Sequence, residues 1–173
     1  MKSETEGSHS RTQDQAAGDC HRILVLGVGN LLMGDEGVGV HAARRLEQEQ
    51  LPAGATVVDG GTGGFHLLSY LQEYSTVIMI DACMDGQAAG TVSIIKPRFA
   101  TDFPKALSAH DIGLKDLIES ATLLGSLPET HLITISIAEI QPMVMELSPA
   151  VAASLPDVAS KVREILLAET LAC

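Results

Sequence analysis

Apolar residues along this chain follow two periods. Apolar runs occur at Ile23-Leu24-Val25-Leu26, Thr56-Val57-Val58 and Thr76-Val77-Ile78-Met79-Ile80, and residues 131–137 read as another strand. Unbroken Val/Ile/Leu runs of this length predict strands of a parallel sheet, buried on both faces. Between them the spacing turns helical. Val38, Ala42 and Leu46 recur on one face, with Arg44, Arg45, Glu47 and Gln48 toward water, predicting a helix from Glu36 to about Gln48. Phe65, Leu68 and Leu71 suggest a second helix, Leu114, Leu117, Ile118 and Ala121 a third, and Val158, Val162, Ile165 and Leu166 the last. Residues 90–96 alternate instead, as an antiparallel strand at a sheet edge does. Strands alternating with helices imply an α/β domain: a three-layer sandwich, with a mostly parallel twisted sheet of about five strands and helices on both faces.

Punctuation supports this division. Pro52-Ala53-Gly54 breaks the chain, Asp85-Gly86 makes a turn, and Gly125 is a helix stop. Ser108-Ala109-His110-Asp111 has the spacing of a capping box. Ser148-Pro149 starts the last segment, and Pro156 is expected to restart it. The strand after Leu71 is expected to end at Asp81.

Composition narrows the class. With 173 residues, 46% hydrophobic, 3% aromatic and no Trp, the chain suits one domain with an aliphatic core. Residues 1–21 are polar and without periodicity, and read as a flexible tail ahead of a single domain at 22–173. No apolar run is long enough for a bilayer and no signal-peptide segment opens the chain, so a cytoplasmic protein, a monomer without membrane attachment, is expected. Cys20, Cys83 and Cys173 are odd in number and far apart, which disfavours a disulfide framework. A net charge of −11 argues against nucleic acid and for a basic protein segment or a cation as partner.

The glycine-rich turn after the first strand, Gly27-Val28-Gly29-Asn30-Leu31-Leu32-Met33-Gly34-Asp35-Glu36-Gly37, resembles a nucleotide loop only at a glance. The third glycine of the dinucleotide pattern is Leu32 here, and the Lys-Ser/Thr of a phosphate loop is Asp35-Glu36. Two carboxylates repel phosphate at a helix start. The turn either holds a cation or caps its own helix, with Asp35 as the N-cap.

Ligands of open α/β sheets sit beyond the carboxyl ends of the strands. Glu36 follows the first strand, Asp59 closes the second, Asp81 closes the third, and His110 precedes a helix that can lie over the same edge. Each has an ordinary structural use: Asp59 bonding its turn, Asp81 capping a loop, His110 bonding a carbonyl. Together they form one rim, where carboxylate, carboxylate and imidazole suit a borderline ion such as nickel or zinc. Cys83 reads as a small buried side chain, His41 and His66 as surface or satisfied residues, and His9 and Cys20-His21 as parts of the tail. No GxSxG elbow or HExxH helix is present.

The run 23–39, together with Asp59-Gly60-Gly61-Thr62, Ile80-Asp81-Ala82 and Ser108-Ala109-His110-Asp111-Ile112-Gly113-Leu114, closely resembles the hydrogenase maturation proteases over residues 22–168. The resemblance implies a nickel-dependent endopeptidase that removes a C-terminal extension from the large-subunit precursor of a [NiFe]-hydrogenase after nickel insertion. It implies Glu36, Asp81 and His110 as metal ligands and Asp59 as a functional acidic residue. Nickel then either polarises the scissile carbonyl, or is carried by the precursor as the recognition tag. The alternative is a non-proteolytic nickel-binding assembly chaperone. One departure stands out: Ala138-Glu139-Ile140-Gln141-Pro142 shifts the family's pattern after the fifth strand, which bears on which precursor is recognised.

Overall fold

The computed structural model describes residues 22–104, 114–125 and 127–171. The tail at 1–21 and the capping box at 108–111, with His110, lie outside the described residues. Strands β1 (Ile23–Gly27), β2 (Ala55–Asp59), β3 (Thr76–Cys83), β4 (Val92–Ile95) and β5 (Glu129–Ser136) form one sheet in the order β2-β1-β3-β5-β4. All pairings are parallel except that of β4, which runs antiparallel to β5 at the edge. The expected three-layer α/β architecture is what the chain adopts.

The continuous apolar runs resolve into two cores because neighbouring strand residues point to opposite faces. Ile23 and Val25, Ile78 and Ile80, and Ile133 and Ile135 face helices α1 (Val38–Leu46) and α4 (Pro149–Leu171). Leu24 and Leu26, Val77 and Met79, and Leu132 face α2 (Leu68–Glu73) and α3 (Leu114–Leu123). Each such side chain, fully buried, contributes about 1.5–3 kcal/mol relative to exposure. A one-residue slip of β1 would swap its two sets between the faces, so register is strongly held.

Local expectations fail in three places. The first helix does not begin at Glu36: residues Gly34–Gly37 form a 3-10 turn, and α1 follows it. The third strand does not end at Asp81. β1 pairs with β3 only as far as Ile80, but β5 continues opposite Asp81, Ala82 and Cys83 and carries the strand to its end. Nor does Pro156 restart the last helix, which runs unbroken from Pro149 to Leu171 with Pro156 inside. Proline removes one backbone bond and normally costs about 3 kcal/mol in a helix interior. Here Val151 before it and Val158, Val162 and Ile165 after it stay in phase on one buried stripe, and that packing holds the helix together.

Candidate metal rim at the switch point of the sheet

Strands β2 and β3 flank β1 on opposite sides, so the sheet's switch point, where α/β folds place their ligands, lies at the carboxyl ends of β1 and β3. Backbone bonds sew the loops together there. Val28 N donates to Ile80 O at 2.9 Å, Gly60 N to Gly27 O at 2.8 Å, and Gly29 N to Gly61 O at 2.8 Å. Helix α1 starts in direct contact with this edge. A Cβ on Gly39 would stand 2.1 Å from Val28 O and 2.2 Å from Ile80 O, so only glycine lets the helix approach so closely.

Glu36 lies three residues before Gly39, in the 3-10 turn that packs against β3. It is 2% exposed, and its Oε2 accepts a 2.7 Å bond from Asn30 N. That bond folds the glycine loop around the carboxylate. Asp81 is 0% exposed, one residue beyond the last pairing of β3 with β1, and its Oδ1 accepts from Ala82 N at 2.8 Å. The two carboxylates predicted as ligands therefore lie on the same edge, either side of the switch point. Burying an ionised carboxylate costs several kcal/mol unless a counter-charge and hydrogen bonds offset it. Carboxylate oxygens are a donor type that divalent ions take, which makes these two side chains the candidates to hold one.

Asp59 ends β2, one strand outward. Its Oδ1 accepts from Gly61 N at 2.9 Å and its Oδ2 from Arg44 Nε at 2.9 Å. It thus shapes the Gly-rich turn and pairs with a half-exposed arginine of α1. Cys83 is buried at the end of β3. Burial, then the nearby carboxylates of Asp85 and Asp81, push its thiol up to about 11, so it stays protonated and is no nucleophile at neutral pH. His41 bonds the carbonyl of Met145 at 3.2 Å, and His66 is exposed.

Asp35 has a use that its place in the sequence conceals. It does not cap its own helix: the 3-10 turn has no side-chain cap, nor has α1. Its carboxylate reaches across the molecule instead. Oδ1 accepts from Ser148 N at 2.6 Å and Oδ2 from the Gln141 amide at 3.4 Å, while Asp35 N donates to Gln141 Oε1 at 3.0 Å. Gly34, at φ +62°, makes room for this: a Cβ there would meet Gln141 Oε1 at 2.2 Å. Asp35 thereby latches the segment between β5 and α4 onto the turn that carries Glu36. The pair lies 106 residues apart in sequence, and no local spacing rule reveals it.

A second group of ligand-type side chains lies at the opposite edge. Glu129, His131 and Glu169 bring their ligand atoms within 4.8 Å of one another at the start of β5. Lys96 already bonds Glu129 there, and His131 Nε2 lies 3.1 Å from Glu169. This ties the end of α4 to the sheet.

Comparison with known proteins matches this chain and its fold to one family. A family model described as hydrogenase maturation protease (HycI) matches residues 40–165. The hydrogenase expression/formation protein HupD of Bradyrhizobium diazoefficiens is 38% identical over 131 residues, 73% of this chain and 65% of that protein. The chain thus spans just under two thirds of that relative's length. The hydrogenase 2 maturation protease of Escherichia coli is 37% identical over 111 residues, 62% of this chain and 68% of that one. The solved structure of the hydrogenase maturating endopeptidase HybD from E. coli superimposes with a TM-score of 0.75 at 33% identity, covering 84% of this chain and 91% of that one. The chain belongs to the hydrogenase maturation protease family.

Proposed function

We propose that this protein is an endopeptidase that removes the C-terminal extension of a [NiFe]-hydrogenase large-subunit precursor once nickel has been inserted. The observation that carries the reading is the pair of buried carboxylates, Glu36 and Asp81, flanking the switch point of the sheet in a chain of this family. In this proposal nickel arrives with the precursor as part of the substrate. Glu36, Asp81 and His110 complete its coordination and so bring the scissile bond to the rim. Asp59, at the neighbouring strand end, is the candidate for moving a proton to or from the hydrolytic water.

The test is the intact mass of a purified precursor incubated with the protein. Nickel-loaded precursor should lose its extension, while nickel-free precursor should keep it even when nickel is added to the protease alone. Unchanged mass with tight binding to the loaded precursor would favour the assembly chaperone instead. Processing of the nickel-free precursor would show that nickel is not the tag.

A further inference from the structure

The latched segment between β5 and α4 ends in a turn whose sequence is ill suited to its shape. Val144 N bonds Gln141 O at 3.4 Å, which places Pro142 and Met143 at the two central positions of a turn. Proline is common at the first of these. At the second, Met143 has φ +62°, the one non-glycine positive φ among the described residues. A turn of this kind favours glycine there, because a side chain on a left-handed residue crowds its own backbone. Methionine gives the fold nothing in return, since Met143 is 84% exposed.

The neighbouring residues share this exposure. Val144 and Met145 follow at 38% and 55%, and Leu32 on the facing glycine loop is 49% exposed. The two segments are held together by bonds from Met143 N to Leu32 O and from Gly34 N to Val144 O, both 2.7 Å, and by the parallel bridge of Met33 with Val144. The exposed apolar residues therefore stand on a built, hydrogen-bonded platform continuous with the turn that bears Glu36. Exposed Glu139 and Glu146 stand on either side of them in the sequence, on a chain of net charge −11.

We propose that Leu32, Met143, Val144 and Met145 form a docking surface for the protein substrate, and that it receives an apolar segment of the precursor flanked by Lys or Arg. This rests on the protease reading above. Methionine suits the role, because its unbranched, polarisable side chain adapts to a partner's contour. The acidic flanks would select basic neighbours and speed encounter in a salt-dependent way. A strained, exposed residue held by an otherwise well-bonded turn marks function at the expense of local stability.

The deciding experiment measures processing of nickel-loaded precursor by the full-length protein and by Met143→Gly, Met143→Asp and Glu139→Gln/Glu146→Gln variants, each also tested for thermal unfolding. Met143→Gly relieves the left-handed residue, so its Tm should equal or exceed wild type while KM for the precursor rises about tenfold and kcat stays the same. Met143→Asp should raise KM further, and the double Gln variant should flatten the salt dependence of kcat/KM. Unchanged kcat/KM in Met143→Gly and Met143→Asp, with wild type active, would overturn the docking surface and leave the protease reading intact. An inactive wild type would instead count against the protease reading itself. A lower Tm in Met143→Gly would assign Met143 to the fold and also overturn the proposal.

Discussion

Replacing Asp35 separates a latch from a helix cap. The carboxylate is 2% exposed and its main bond, from Ser148 N at 2.6 Å, is short and charge-assisted. Hydrogen bonds to charged groups contribute about 1.5–3 kcal/mol each, and Ser148 is only partly buried, so water recovers some of the loss. Asp35→Ala should therefore destabilise by about 2 kcal/mol, read as a lower urea midpoint at constant slope. The informative variant is Asp35→Ser. Serine and aspartate are near-equal helix caps, so a capping role predicts full stability for it. The serine hydroxyl is one bond too short to reach Ser148, so the latch predicts most of the alanine loss. Gln141→Ala, removing the weaker 3.4 Å contact and the bond from Asp35 N, should cost about 1 kcal/mol and couple to Asp35→Ala in a double-mutant cycle. Wild-type stability in Asp35→Ser, or strict additivity in the cycle, would refute the latch.

Other outcomes follow from the same geometry. Glu36→Gln and Asp81→Asn keep shape and remove charge, so each should fold with its unfolding midpoint little changed, yet lower precursor processing by about a hundredfold or more, measured by intact mass over time. Cys83, in a Cys20→Ser/Cys173→Ser background, should resist iodoacetamide at pH 8 in native protein and react fully in urea. Its raised thiol has a pH consequence: between the ordinary value of 9.0 and about 11 the unfolded chain loses a proton that the native one keeps. Stability should therefore fall across that window, and less so in Cys83→Ala. Pro156→Ala restores a backbone bond inside α4 and should raise stability by about 1–2 kcal/mol after the unfolded chain's gain in freedom is discounted.

The sequence discloses the sheet and its helices well, because aliphatic runs and helical spacing are local signals. It also discloses that Glu36, after β1, and Asp81, near the end of β3, belong to two strands that the topology makes neighbours. It conceals whatever depends on pairing at a distance. The extension of β3 past Asp81 is decided by β5, about fifty residues on. The latch from Asp35 to Gln141 and Ser148 spans more than a hundred residues, and its acidic residue has every local mark of a helix cap. Pro156 is an ordinary break signal until the stripe on either side of it is seen to share one core. The left-handed Met143 is invisible in sequence because its conformation contradicts the residue's own preference.

The most direct measurement is an anomalous difference map, at the nickel edge, of crystals of this protein soaked in nickel. A peak within coordination distance of both the Glu36 and Asp81 carboxylates, lost in Glu36→Gln, is the expected result. A peak confined to the Glu129, His131 and Glu169 group, with none between Glu36 and Asp81, would contradict the metal rim on which the account rests.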